Sequence, residues 1–426
     1  MKMQVRAVLI LIAALATMGL TGCGHYNCAT AANFGSSSCS SSGGGLGGGG
    51  GTGNSTATAF AFHVDQGQPT TTGFIDGYTL DLTTNLFTTT PNFIPPVIPQ
   101  NLGSIGMVVG QKQYVYAVFA DLQAIYGWQI DFTTGFLTPL GGFPMTVSLN
   151  IPSVTYNQYL VITNPPGTLL FISDPLDAKI LVYQIGSSGS LTAAPGSPFS
   201  MPSGFTPQNL GMDGLGNYLY ASSESVTHTS TSVMAFAVTG SGSGAGVLQP
   251  VQSTPFPFPM WQTQGDPSGK FLFGVSGQAI PFTSADDDHI YLFSIGSNGA
   301  ITQVSSTATA FPPFNMAVQP SANSNGTLVY TFSRPQPFSG NPVEGFQLNS
   351  SLSTLPEVSG SPFINIDSTD YALFDPNGNT LFFYLFSASS NLSGLTTFQA
   401  SSTGTLTLGP AVTLSTNGYF AVVDVQ

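Results

Sequence analysis

From residue 57 onward the chain alternates short apolar runs with small, polar, turn-forming segments. No stretch carries the 3.6-residue periodicity of a long amphipathic helix. The apolar runs are rich in β-branched and aromatic residues, which favour a pleated, half-buried surface. They comprise Phe60–Val64, Tyr114–Phe119, Leu169–Ser173, Tyr218–Ser222, Phe271–Ser276, Leu328–Ser333 and Leu381–Phe386. Their starts recur roughly every 50 to 56 residues, the spacing of propeller blades. Most follow a turn such as Asp266-Pro267-Ser268-Gly269, Asp375-Pro376-Asn377-Gly378 or Asp213-Gly214-Leu215-Gly216. Pro early and Gly late suit type I and II turns. A further strand follows each run, for example Ile180–Ile185 or Ile290–Ile295. Then come a small turn and a fourth strand, as in Gly186-Ser187-Ser188-Gly189-Ser190-Leu191-Thr192.

Seven such units predict an all-β fold, a seven-bladed propeller of four-stranded antiparallel blades. The two ends predict how it closes. The ordered part begins with a second strand, and residues 418–425 align with first strands such as 261–266 and 371–375. The C-terminal strand is therefore expected to be the innermost strand of the first blade. That pairing closes the ring and removes its open edges.

The N-terminus is read as an address. Lys2 and Arg6 precede the apolar run 7–20, which is shorter than the ~20 residues of a spanning helix but suits a signal peptide. The run ends in Leu20-Thr21-Gly22-Cys23, which resembles the bacterial lipobox, whose Cys is lipidated and becomes the mature N-terminus. This predicts a signal peptide over 1–22, a Gly/Ser-rich tether over 23–56 and the propeller over 57–426. The expected location is the cell envelope, anchored through lipidated Cys23 and facing the extracytoplasmic side, periplasm or cell surface. The tether holds a formal G-x-G-x-x-G at 45–50. No strand precedes it and no helix follows, so nucleotide binding is not inferred.

Composition narrows the functions. Only 6% of residues are charged, against 42% hydrophobic, and the formal net charge is -13. A chain this acidic lacks the basic footprint of nucleic-acid binding. Gly 50 and Pro 31 of 426 residues, about a fifth of the chain, fit a turn-rich β architecture. The three Cys are Cys23, Cys28 and Cys39. The absence of later Cys rules out thiol catalysis and Cys-ligated zinc in the propeller. No H-E-x-x-H, G-x-S-x-G or Walker A sequence occurs.

The endings Gly196-Ser197-Pro198-Phe199 and Gly360-Ser361-Pro362-Phe363, together with the Asp-Pro-x-Gly turns, resemble the lactonase-type seven-bladed propellers. These are the relatives of 6-phosphogluconolactonase and of YVTN-repeat surface proteins. The resemblance covers residues 57 to the end. It implies the fold, and through the family's lactone-opening members it implies an activity. Those members use His, Arg and Glu around the channel. No matching motif places those residues in this sequence, so no catalytic residue is carried over.

In a propeller, the loops joining second to third strands share one face with the crossovers between blades. This loop face is expected to carry the binding residues Asp174, Asp177, Glu224, Asp286, Asp287, Asp288 and Trp261. It also gathers nearly all the groups suited to acid/base work, namely His63, His228, His289, Arg334 and Lys179. The opposite face, here the turn face, is expected to carry short turns with Lys112, Asp213, Lys270 and Asp375. The aromatics of the Ser-Pro-Phe segments are expected to pack between blades. Asp286-Asp287-Asp288-His289 lacks the Gly and terminal Glu of an EF-hand and reads as a solvated acidic loop. Calcium is the cofactor it would suit, and none is expected.

The leading expectation is a monomeric, lipid-anchored binding or interaction module that takes a glycan, another small molecule or a protein on its acidic, aromatic loop face. The alternative is a lactonase-like hydrolase, with a His activating water and Arg334 or Lys179 stabilising the oxyanion. The anchor has a direct test. Cys23→Ser should move the protein from the membrane to the soluble fraction on cell fractionation, and unchanged membrane association would refute lipidation.

Overall fold

The computed structural model describes residues 58–65, 73–81, 86–94, 96–98, 104–151, 160–224, 231–258, 260–276, 288–310, 312–320, 326–333, 341–363, 365–366, 369–375, 377–387, 392–414 and 420–425. The expected signal peptide and tether, with Cys23, lie outside the described residues, as do His228, Asp286, Asp287 and Arg334. The side chain of Glu224 also lies outside them.

Seven antiparallel sheets form the blades of one propeller. Blade 4 illustrates the plan, with strands Asn209–Met212, Tyr218–Glu224, Thr231–Val238 and Leu248–Pro250 running from the axis outward. All seven second strands fall where the apolar runs predict them. The C-terminal strand Phe420–Val425 pairs antiparallel with Thr58–Asp65 and is the inner strand of blade 1. Its register runs from Thr58 opposite Val425 to His63 opposite Phe420. The first and last segments of the propeller thus share one sheet, and the ring closes as expected.

The fourth strand departs from the simple pattern. In blade 3 it is split into Leu191–Ala193 and Phe199–Ser200, both paired to the third strand Lys179–Ile185. The break falls at Gly196-Ser197-Pro198. Gly196 takes a left-handed φ of 84° and Pro198 has no N–H for the ladder. The Ser197 hydroxyl accepts the Val182 amide hydrogen across the gap, and Ser361 does the same for Gly345 in blade 6. The Ser-Pro-Phe motif is therefore an edge device that interrupts the outermost strand while keeping its partner satisfied.

The core lies between blades. Apolar side chains of each blade pack on those of the next, as Phe171, Leu169 and Val182 of blade 3 do with Leu219, Met234 and Phe236 of blade 4. From blade 2 to blade 7, one buried position of the second strand alternates between Tyr and Phe. Blades 2, 4 and 6 carry Tyr116, Tyr220 and Tyr330 there, while blades 3, 5 and 7 carry Phe171, Phe273 and Phe382. Each Tyr hydroxyl donates to a Gly carbonyl in the outer turn of the following blade: Gly189 at 2.7 Å, Gly299 at 3.2 Å and Gly404 at 2.7 Å. Burial pushes all three phenols well above their ordinary pKa, so they remain donors.

These bonds predict a graded response. Tyr116→Phe and Tyr330→Phe should each cost about 1 kcal/mol, since each strands a buried carbonyl. Gly299→Ala should cost more. Its φ is +85°, and an added Cβ would overlap the Tyr218 ring. Denaturant unfolding of the three variants checks the order.

Candidate functional site

On the loop face, the hairpin of blade 3 brings three predicted residues together. Asp174 ends the strand Leu169–Asp174, Lys179 begins the strand Lys179–Ile185, and the register sets them opposite each other. Lys179 Nζ lies 3.2 Å from Asp174 Oδ2 and 2.7 Å from Asp177 Oδ2. Asn150, on the crossover from blade 2, donates its backbone N–H to Asp174 Oδ1 (3.1 Å) and its side-chain amide to Asp177 Oδ1 (2.9 Å). Asp174 is fully buried. Burial pushes its carboxyl above the ordinary range, against the pull of Asn150 and Lys179. The Lys179 hydrogen bond draws Asp177 below that range, and Asp177 raises Lys179 in return. The cluster staples a crossover to a hairpin. Its one cation is shared by two carboxylates, which leaves little positive charge for an oxyanion.

The histidines stand in different settings. His63 is 0% exposed, inside Thr58–Asp65, with Nδ1 3.9 Å from Asp76 Oδ2 on the neighbouring strand. It belongs to the wall of blade 1. His289, with a side chain 38% exposed, opens the strand His289–Ile295 of blade 5. Its Nδ1 lies 3.0 Å from Asp288 Oδ1, within ion-pairing distance when the imidazole is protonated. Blades 1 and 5 are not neighbours, so the structure does not bring these two histidines together.

Trp261 is half-buried at the entry to the inner strand of blade 5, its ring 6.0 Å from Phe314. Its carbonyl accepts the Ser222 hydroxyl from blade 4. The motif aromatics pack on their own blades as well as between blades. Phe363 covers Gly345 and lies 6.3 Å from Tyr330, and in blade 2 Phe143, at the motif's Ser position in Gly142-Phe143-Pro144, covers Gly127 and lies 5.9 Å from Tyr116. They contribute packing where an exposed sugar platform would need open rings.

The inner strands enclose a cavity of about 410 Å³ on the axis, lined by blades 2 to 7. It extends to the turns between first and second strands, at Pro165, Gly214, Pro267 and Pro320, on the turn face. Its walls are mostly apolar. Neutral polar residues such as Thr163, Gln264 and Gln319 interrupt them, and Asp213 is the one acidic residue of the described lining, its carboxylate buried. No Lys, Arg or His is among the described residues that line it.

Sequence reasoning placed Asp213 on the turn face but gave it only a turn role. That role is real. Asp213 Oδ1 accepts the Tyr218 amide at 2.7 Å. Asn164, Asp266 and Asp375 cap the equivalent turns of blades 3, 5 and 7 through Leu169, Phe271 and Thr380. The recurring Asp or Asn at the end of the first strand was the available signal for a ring of polar groups around the axis.

No family model and no curated protein sequence matches the chain. Solved structures do. A candidate 6-phosphogluconolactonase from Bacteroides uniformis superposes with TM-score 0.62 at 16% identity, covering 87% of this chain and 100% of that one. A candidate 6-phosphogluconolactonase from Bacteroides fragilis gives 0.59 at 15% identity, covering 87% and 99%. The periplasmic gluconolactonase of Pseudomonas aeruginosa gives 0.56 at 14% identity, covering 86% and 99%. At such identities the likeness establishes the lactonase-type propeller fold.

The blade 3 cluster makes a prediction. Lys179→Met leaves buried Asp174 without its cation and should destabilise the protein by about 2 kcal/mol. That lies below the range for a fully buried pair because Lys179 keeps some water. Adding Asp174→Asn should recover much of the loss in a denaturant titration.

Proposed function

We propose that this protein is an extracytoplasmic, lipid-anchored propeller that hydrolyses uncharged carbohydrate lactones at its loop face. The observation that carries the reading is the Asp288–His289 pair at 3.0 Å. It is a partly exposed imidazole beside a carboxylate, on a ring whose fold matches a gluconolactonase over nearly the whole of that chain. His289 takes a proton from water as the water oxygen attacks the lactone carbonyl carbon. The ring C–O bond then breaks, and the imidazolium returns the proton to the departing alkoxide. Asp288 stabilises the imidazolium. With Lys179 tied to two carboxylates, Arg334 is the remaining loop-face cation predicted for the oxyanion.

Charge selects the substrate. A net charge of -13 repels phosphorylated and carboxylated lactones at long range. Phosphate recognition draws on clusters of Arg or Lys, and the whole chain holds 6 such residues. The gluconolactonase neighbour therefore fits this surface better than its phosphogluconolactonase counterparts.

A second reading, sugar or glycan binding without turnover, is favoured by the dispersal of His63, Lys179 and His289 over separate blades. One assay separates the two. The purified protein should hydrolyse glucono-δ-lactone faster than the uncatalysed rate and 6-phosphogluconolactone more slowly. His289→Ala should lose about 100-fold or more in kcat, and Asp288→Asn should lose a smaller factor. Saturable binding of the neutral lactone with no turnover would replace the enzyme by the binding module. Preference for the phosphorylated lactone would sink the charge argument.

A further inference from the structure

The axial cavity carries a charge arrangement that neither the fold nor the loop-face chemistry requires. The caps at the ends of the inner strands need one acceptor oxygen each. Asn164 supplies it in blade 3 with a neutral amide, whose Oδ1 takes the Thr168 and Leu169 amides and whose Nδ2 donates to Thr168 Oγ1. Asp266 in blade 5 uses both carboxylate oxygens, Oδ1 for Lys270 and Phe271 and Oδ2 for the amide and hydroxyl of Ser268. In blade 4 Leu215 stands where Ser268 stands. Asp213 is 1% exposed, and its Oδ2 meets no donor in hydrogen-bonding geometry. Burial pushes its carboxyl above the ordinary range. The amides of Tyr218, Leu215 and Asn217 pull the other way without overcoming it.

We propose that the turn-face end of this cavity is a binding site for a small organic cation, an ammonium group on a short apolar body, with Asp213 as its counter-charge. Volume and lining both fit that class. About 410 Å³ exceeds the needs of a few waters and lies within the range of small-molecule sites. Val108, Val161, Leu210, Val318 and Phe374 offer apolar wall to the body of the ligand, and Thr163 and Gln264 offer acceptors to its N–H groups. The carboxylate lies just beneath the lining and is shielded from bulk water, so its field on a cation in the cavity is only weakly screened. A buried carboxylate with no cationic neighbour in the lining is costly to ionise, and an arriving ammonium offsets that cost. The same field turns anions away.

The test uses the full chain and three probes of one size: propylammonium, 1-propanol and propionate. Propylammonium should raise Tm saturably, with the concentration dependence of one site, and the other two should not. Asp213→Asn keeps the acceptor oxygen that Asn164 supplies in blade 3, and it should weaken propylammonium binding at least tenfold. Leu215→Ser restores the donor that Ser268 gives Asp266, and should weaken binding several-fold by occupying Oδ2. An equal response to propanol, a response to calcium in place of propylammonium, undiminished binding in both variants, or no saturable response would each overturn the proposal. The readout is cation affinity at the turn face, so its failure is distinct from failure of lactone turnover at the loop face.

Discussion

Close to the axis the blades meet backbone to backbone, and that crowding governs what the molecule can carry and where. Gly211 in the inner strand of blade 4 faces Thr263 of blade 5 so closely that any Cβ would overlap the Thr263 carbonyl. Gly265 meets the backbone of Met212 and Asp213 in the same way. Side chains long enough to react cannot point across such a seam. Those that enter it serve the seam. The Gln262 amide brackets Met316 of blade 6, donating to its carbonyl at 2.9 Å and accepting its N–H at 2.6 Å. Gln319 reaches Gly378 of blade 7 likewise. Chemistry is displaced to the strand ends, where the backbones diverge.

Asn209 shows the same constraint from the other side. It holds the place in blade 4 that Gln262 holds in blade 5, at the start of the inner strand, but it is one methylene shorter. It is buried, and neither of its amide atoms finds a partner. The reach of one side chain separates a satisfied clamp from a buried polar group without a bond, a condition that costs free energy. Asn209 and Asp213 mark the two ends of one inner strand, and Gly211 lies between them on the same face. Blade 4 is thus the least self-satisfied part of the inner wall described.

Much of the architecture was legible because it is periodic. Strand alternation, the Asp-Pro-x-Gly turns and the orphan first strand at the C-terminus are local signals, repeated until they outweigh any single ambiguity. The site was less legible because it depends on pairing across the fold. Lys179 and Asp174 look like independent loop charges in the sequence. A hairpin register makes them an ion pair. His63 looks like a strand-end residue, and ring closure puts it between Asp76 and Phe420 within a sheet. His289 and Asp288 are adjacent in sequence, so their pairing needed no long-range information. The Ser-Pro-Phe aromatics pointed correctly to packing, but the glycine beneath Phe363 is Gly345, 18 residues earlier in the neighbouring strand, and carries no local mark.

A repeat fold acquires function by departing from its own repeat. The end of each first strand asks every blade for the same thing, an oxygen to cap a turn, and a neutral Asn meets that demand in blade 3. Where a blade carries more than the demand, the surplus needs another account. In blade 5 the second carboxylate oxygen of Asp266 is absorbed by Ser268. In blade 4, Leu215 provides no hydroxyl, and a buried carboxylate oxygen beside the cavity is left without a donor. The same comparison separates the two faces. On the loop face the charges of blade 3 pair with one another and hold a crossover in place, while the Asp288–His289 pair of blade 5 is partly exposed. Symmetry supplies the scaffold at seven positions, and the chemistry is found where single blades break it.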